Sequence, residues 1–384
     1  MEDKSVPGIL RKVFKGLFDG FDRPLSLIVF LLLCTGLVTL YSAGLEMPGR
    51  VQDQVRNIAF AFVVMWIVSR MSPQALMRVA VPVYTVGVAL LVAVAMFGLI
   101  RKGARRWINI GVVIQPSEVM KIAMPLMLAW YFQKREGVTN FLDYLVAFVL
   151  LVVPVALIAR QPDLGTALLV IAAGTYVIFF AGLSWRLIAP VLGLVVVVAA
   201  LVLGLQDTIC DPKLAWPLLH DYQKHRVCIL LDPSSDPLGK GFHTIQSVIA
   251  IGSGGVFGKG WLHGTQTHLE FIPEKHTDFI FAVFSEEFGL IGNLVLVTLF
   301  AALIFRGLTI SLYAATLFER LLAGSVTMIF FTYAFVNMGM VSGLLPVVGV
   351  PLPLISYGGT SMVTQGLALG ILMSVARNRR LVQT

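Results

Sequence analysis

Charge is what this sequence of 384 residues has least of: Asp, Glu, Lys and Arg together make up 13%. A soluble chain of this length needs a polar exterior that so few ionic side chains cannot supply. Acidic residues are the scarcer sign, 21 against 29 basic ones, for a formal net charge of +8. That basicity does not point to nucleic acid, because membrane proteins gather Lys and Arg in cytoplasmic loops. Cysteine is rare too. Cys34, Cys210 and Cys228 are the three present, too few for a disulfide scaffold. No P-loop, GxSxG motif, dinucleotide fingerprint or metal-ligand spacing occurs. His263, His268 and His276 are neighbours in sequence, but their spacing matches no standard metal site. No short repeat or low-complexity tract is visible. The segment Met1–Arg23 lacks the apolar core and small-residue cleavage site of a secretory signal.

What the chain does have is apolar length. Hydrophobic residues make up 57% and mean hydropathy is +0.86. Apolar runs of roughly 17–25 residues mark spanning helices. Ten can be read, at about 25–43, 57–71, 79–99, 116–133, 142–159, 164–182, 187–206, 279–305, 321–343 and 354–376. The second is short and extends back into Gln52–Arg56 if it is to span. The expected fold is an all-α polytopic membrane protein, one domain over 1–384, with ten transmembrane helices. A long, partly helical extracytoplasmic loop, 207–277, is expected between helices 7 and 8, with short helices around Trp216–Leu231 and Phe242–Ile251. A connection of that length is ordered and functional more often than not. The Gly252–Gly260 stretch, GSGGVFGKG, reads as a flexible or close-approach loop.

Ten spans put both termini on one side. The N-terminal segment 1–23 carries Lys4, Arg11, Lys12, Lys15 and Arg23, and the tail 377–384 carries Arg377, Arg379 and Arg380. Arg70, Arg78, Lys134, Arg135, Arg186, Arg306 and Arg320 fall in loops on the same side, which should be cytoplasmic by the positive-inside rule. Within Met1–Phe18, apolar residues recur at helical spacing opposite lysines, as in an interfacial helix.

Five polar constellations remain. Arg101–Trp107 puts four cations in an outer loop, against the positive-inside bias. It is either a tolerated exception or an anion site, for which arginine's planar fork is suited. Glu118 and Lys121 open the fourth run and share a helix face. They are either a structural ion pair or a pair facing a polar cavity. Arg160-Gln161-Pro162-Asp163 separates the fifth and sixth runs, and capping of a helical hairpin is the favoured reading. Asp278 stands at a polar–apolar border with Glu286 and Glu287 about two turns further on. Such carboxylates fit a general base with a supporting network, or an ion path through a transporter. Gly343–Ser361 holds Pro346, Pro351 and Pro353 with Gly349, Gly358 and Gly359. Irregular backbone at membrane depth is tolerated where protein buries it or where it lines a wet cavity.

These stretches together resemble the SEDS family, its RodA-type members more than the FtsW type. The segments that carry the resemblance are RRWINIG (105–111), QPSEVMKI (115–122), RQPDLGTAL (160–168), QSVIAIGSGGVFGKG (246–260), GTQTHLEFIPEKHTDFIFAVFSEEFGLIG (264–292) and PLPLISYGGTS (351–361). The resemblance implies a peptidoglycan glycosyltransferase in the bacterial cytoplasmic membrane, active on its outer face. Such an enzyme polymerises lipid II, the undecaprenyl-diphosphate-linked disaccharide peptide, into β-1,4-linked glycan during elongation. Its implied partners are a class B penicillin-binding protein transpeptidase and the elongation machinery. Asp278 falls on the family's essential aspartate, and Glu118 and Lys121 on its polar pair in the fourth helix. The Cys210/Cys228 pair is not part of the resemblance.

Residues and resemblance agree on a mechanism. Asp278 accepts the proton of the acceptor hydroxyl. Arg105, Arg106 and Lys121 are candidate diphosphate or sugar ligands, with Glu118 orienting Lys121. Trp107, Arg160, Asp163, His276, Thr277, Ser356 and Tyr357 complete the expected substrate-binding set. A divalent cation, Mg or Mn, is compatible with a diphosphate leaving group, and no spacing requires one. A lipid II flippase suits the buried charges equally well, but the crowding of polar groups toward the outer half favours the enzyme. A non-catalytic membrane scaffold for a partner synthase would not need Asp278. Cys210 and Cys228 share the outer loop and are expected to bridge if that loop faces an oxidising compartment.

Overall fold

The computed structural model describes residues 20–45, 47–101, 104–109, 113–138, 140–210, 221–232, 240–269 and 274–383. In chain order the longer helices are α1 (Arg23–Ala43), α2 (Arg50–Arg70), α3 (Pro73–Phe97), α4 (Pro116–Lys134), α5 (Phe141–Ala159), α6 (Leu164–Phe180) and α7 (Trp185–Gly204). Three short strands, β1 (Leu99–Arg101), β2 (Ala104–Asn109) and β3 (Val113–Ile114), lie between α3 and α4. After α7 come α8 (Gln206–Ile209), α9 (Asp221–Leu231), α10 (Lys240–Ser253) and α11 (Thr265–His268). The chain finishes with α12 (Ile280–Leu312), α13 (Leu317–Val341) and α14 (Gly359–Gln383).

Local chemistry sets the helix starts. Asp22 caps α1 by accepting from Leu25 N at 3.0 Å, and Ser72 caps α3 by accepting from Ala75 N at 3.2 Å. Proline occupies the first turn of α1, α3 and α4, where a missing N–H costs nothing. Asp163 caps α6 through Thr166 N, and Thr316 caps α13 through Glu319 N.

Among the described residues, seven helices are long and apolar enough to cross a membrane: α1, α2, α3, α5, α12, α13 and the Gly359–Asn378 part of α14. Helix α6 is apolar but 17 residues long. The outer helices turn bulky apolar residues away from the protein, as at Phe30, Phe60, Phe148 and Phe305. That is the expected surface of a chain solvated by lipid. Helices α4 and α13 form the centre. Residues 120–129 of α4 are all buried, so its ion pair sits inside the bundle.

The second expected run does extend back, since α2 begins at Arg50. The tenth starts later than expected, at Gly359, because 351–358 forms turns. The described residues between α3 and α4 form an antiparallel sheet in the order β1-β2-β3, pairing Ile100 with Arg105 and Ile108 with Ile114. In the long loop, α9 and α10 fall close to the two expected short helices. Residues 211–220 and the expected interfacial helix of Met1–Phe18 lie outside the described residues.

Helix α12 breaks at Gly289, which adopts φ 63°, ψ −160°. This conformation is essentially restricted to glycine. The break removes helical partners from two carbonyls before it and two N–H groups after it. The 254–260 loop replaces them. Lys259 N donates to Glu286 O (3.0 Å) and Gly260 N to Glu287 O (3.0 Å), while Leu290 N and Ile291 N donate to Gly255 O (2.9 Å) and Val256 O (3.1 Å). Gly258 is in contact with this break, and a Cβ there would collide with the Glu287 carbonyl. The glycine-rich stretch is therefore a close-approach loop, spliced into a broken helix.

Candidate functional site

The site gathers where the 274–279 turn enters α12. Three consecutive carbonyls there are held by other elements. Tyr357 N donates to His276 O at 2.9 Å, Ser356 Oγ to Thr277 O at 2.7 Å, and Asn337 Nδ2 to Asp278 O at 2.8 Å. Asn337 Nδ2 donates as well to Val350 O at 2.7 Å. Beside Val350, Gly349 has φ +74°, and a Cβ there would lie 3.4 Å from Asp278 Oδ2. Helix α2 closes the corner. Gln54 Nε2 donates to Ser356 O at 3.2 Å, and the Arg50 guanidinium lies 4.8 Å from the Tyr357 ring centre. The Tyr357 ring meets the His276 ring edge-on at 5.9 Å. Asp278, His276, Thr277 and Tyr357 are all half-buried, so the corner is packed but not sealed. The structure thus brings His276, Thr277, Ser356 and Tyr357 together with Asp278. The Ser356 hydroxyl is already engaged within the protein, because it also accepts from Leu352 N at 2.8 Å.

The second group lies on α4. Lys121 Nζ donates to Glu118 Oε1 at 2.6 Å and to the Tyr333 hydroxyl of α13. Thr364 of α14 reaches Glu118 Oε2 at 3.4 Å. The Lys121 side chain is 2% exposed and that of Glu118 13%. A desolvated ammonium is tolerated only with such partners. Tyr333 and Asn337 are one turn apart on α13 and share a face. One helix therefore holds both the α4 pair and the backbone of Asp278.

The basic strand β2 divides its roles. Arg106 Nε donates to Gln161 O at 3.2 Å, its guanidinium also reaches Pro162 O, and it lies 3.8 Å from Asp163 Oδ1. Asp163 further accepts from Gln115 Nε2 at 2.8 Å. Arg106 and Asp163 fasten the strand to the α5–α6 hairpin. Arg105 is exposed and donates to Ala95 O at 3.3 Å, Trp107 is half-buried, and Arg160 is exposed at the end of α5. The start of α6 packs against the loop that faces Asp278: a Cβ on Gly165 would approach Val348 O to 2.8 Å.

Glu286 and Glu287 hold architecture. Glu286 is completely buried. It accepts from Lys259 Nζ (2.7 Å), Gln266 N (2.9 Å), Thr267 N (3.2 Å) and the hydroxyls of Thr265 and Thr267. Glu287 accepts from Ser42 Oγ and from Leu262 N at 3.2 Å. Both carboxylates bind the re-entrant 254–268 segment to α12. Earlier in the long 207–277 loop Cys210 is bonded to Cys228, with Cα atoms 5.6 Å apart.

The sequence reading passed over Arg50, Gln54, Tyr333 and Asn337. Asn337 carried a signal, since an amide inside a spanning run is costly unless it has a task. Arg50 carried another, as a cation in a loop that the expected topology places outside, where the positive-inside rule expects few. Among the described residues, no three His, Cys, Asp or Glu side chains converge as a metal cage.

A helical bundle solvated by lipid, with a carboxylate corner and a buried ion pair built around one central helix, defines an integral membrane protein with a polar site at one end. The chain belongs to the FtsW/RodA/SpoVE family of cell cycle proteins, whose profile matches residues 23–381. It is 48% identical over 362 residues to the peptidoglycan glycosyltransferase MrdB of Escherichia coli K12, covering 94% of this chain and 95% of that one. It is 32% identical to the peptidoglycan glycosyltransferase RodA of Treponema pallidum, covering 94% and 98%. Among solved structures, a chain of a peptidoglycan synthase complex that coordinates polymerization and crosslinking superposes with TM-score 0.78 at 33% identity, covering 94% and 98%. The rod shape determining protein RodA of Thermus thermophilus superposes with TM-score 0.68 at 26% identity, covering 94% and 97%.

Proposed function

We propose that this chain is a peptidoglycan glycosyltransferase that polymerises lipid II into β-1,4-linked glycan strands during cell elongation, with Asp278 as general base. The observation that carries this reading is the corner itself, a carboxylate on a backbone fixed at three consecutive carbonyls. The names of its relatives, at up to 48% identity over nearly the whole chain, support the same activity. In the step, the acceptor sugar hydroxyl attacks the anomeric carbon of the lipid-linked donor. A glycosidic C–O bond forms, the bond to the diphosphate oxygen breaks, and the hydroxyl proton passes to Asp278. Cations must meet the charge that develops on the leaving diphosphate. Arg105 is the exposed candidate; Lys121, oriented by Glu118 and 2% exposed, would contribute its charge from within the bundle rather than by contact. Arg106 contributes mainly by fixing the strand that carries Arg105. No step is assigned to Mg or Mn, because Asp278 alone would give such an ion a single carboxylate.

Counting α4, α6 and α7 with the seven apolar helices gives ten spans, with both termini cytoplasmic and Asp278 on the outer face. The distribution of Lys and Arg supports that orientation. A class B penicillin-binding protein transpeptidase is the proposed partner, in keeping with the synthase complex to which the chain is structurally similar. Purified protein given lipid II should form glycan polymer, and Asp278→Asn should abolish it while still inserting in the membrane. Lipid II transport across vesicles with no polymer from any variant would instead identify a flippase.

A further inference from the structure

Asn337 lies in the middle of the contacts that define the Asp278 corner, and its side chain is completely buried. Its two partners, the carbonyls of Asp278 (2.8 Å) and Val350 (2.7 Å), can only accept hydrogen bonds. That fixes the amide orientation, with the NH₂ group toward both. One side chain therefore ties Asp278, two residues before α12, to the turn at Val350, where a Cβ on the neighbouring Gly349 would lie 3.4 Å from Asp278 Oδ2. Asn337 stands on α13, a largely buried helix, one turn from the Tyr333 that holds Lys121. The anchor is fully buried, and the group it anchors carries the proposed base.

We infer that Asn337 is a positioning residue for the glycosyl transfer, setting the Asp278 carboxylate against the acceptor hydroxyl through the Asp278 and Val350 carbonyls. The inference rests on the general-base reading of Asp278. It requires no contact between Asn337 and substrate, which full burial would prevent. Asn is suited to the task because no other side chain of that size offers two N–H groups from one nitrogen. An isosteric aspartate would present oxygens to two carbonyl oxygens. A leucine would fill the volume and leave both carbonyls without a donor. In either case the backbone at 278 relaxes away from its place, and a misplacement of about 1 Å in a reacting group costs about 10²-fold in rate.

The test uses the purified full-length protein with lipid II as substrate. Turnover number, KM and Tm are measured for wild type, Asn337→Leu, Asn337→Asp, Asn337→His and Asp278→Asn. The Leu and Asp variants should lose about 10²-fold in kcat, with KM within about threefold of wild type. Histidine retains an N–H donor and should recover about tenfold of that loss. A residue that served folding alone would lower Tm and the yield of active protein without separating kcat from KM in this way. Should Asn337→Leu fail to accumulate, Asn337→Ser removes the second donor with less disturbance and is measured in its place. The inference is overturned if Asn337→Leu or its substitute turns over within about threefold of wild type, if KM carries the whole effect, or if every variant fails to fold. Asp278→Asn separates the two levels. If it is active at the wild-type rate, the general-base reading fails and this inference with it. If it is inactive while Asn337→Leu is unaffected, only the positioning role fails.

Discussion

Arg306 of α12 grips Asp22, the N-cap of α1, with its Nε 2.9 Å from Oδ1. At the opposite end of the same antiparallel pair, Ser42 of α1 donates to Glu287 of α12. From the break at Gly289 to Arg306 the helix runs about 26 Å at a rise of 1.5 Å per residue, close to the roughly 30 Å of a bilayer's hydrocarbon core. Between these polar clasps α12 shows lipid-type residues outward, among them Leu290, Leu294 and Val297. Glu286 and Glu287 therefore mark the edge of the apolar slab, and Asp278 stands beyond it. A path for protons or ions through α12 would need polar groups on the inner side of Glu287, and there the helix is apolar as far as Arg306 apart from Asn293 and Thr298.

The Glu118–Lys121 pair should behave as one unit. Removing either partner leaves the other as a desolvated charge, a loss of about 3–5 kcal/mol. Glu118→Ala and Lys121→Ala should each reduce thermal stability and polymerisation nearly as much as the double substitution. A double-mutant cycle on Tm and on rate measures this, and additive effects would contradict the coupling.

Arg105 and Arg106 should separate. Arg106→Gln removes a strut between β2 and the α5–α6 turn, so Tm should fall along with activity. Arg105→Gln should leave Tm unchanged and weaken use of lipid II when substrate is limiting. The measurement is KM for lipid II beside Tm for each single variant. Equal effects of both substitutions on both quantities would remove the distinction.

Gly289→Ala should be severely destabilising. The substitution forces a side chain into a backbone region that disfavours it by about 1–3 kcal/mol and drives Cβ into the Gly258 backbone. Gly252→Ala is the control, because nothing lies within 4 Å of a Cβ there. Detergent-solubilised yield and Tm compare the two, and a Gly289→Ala protein as stable as Gly252→Ala would refute the spliced-helix account.

Cys210 and Cys228 should resist alkylation until a reductant is added. Their bridge closes a loop 18 residues long, which in the chain-entropy model contributes about 3 kcal/mol. Intact mass after alkylation without reductant reads the outcome, and two labelled cysteines would show the thiols unpaired. Cys210→Ser with Cys228→Ser should lower Tm while retaining most activity, since the bridge lies outside the Asp278 corner.

Much of this protein was legible in the sequence because lipid imposes a one-dimensional rule. A spanning helix must be long and apolar wherever it stands in the fold. That rule located α1, α5, α6 and α13 within a few residues, and it made Asp278, Glu118 and Lys121 conspicuous as charges next to or inside apolar runs. It was blind to backbone hydrogen bonds formed across great sequence distance. Only the tertiary structure decided that Glu286 and Glu287 clasp a re-entrant loop, that Arg106 is tied to carbonyls of the 161–162 turn, and that Ser356 and Asn337 hold main chain. In each case the partners include main-chain carbonyl or N–H groups, which carry no side-chain signature. Composition cannot reveal such a partner, and only the folded path of the chain selects it.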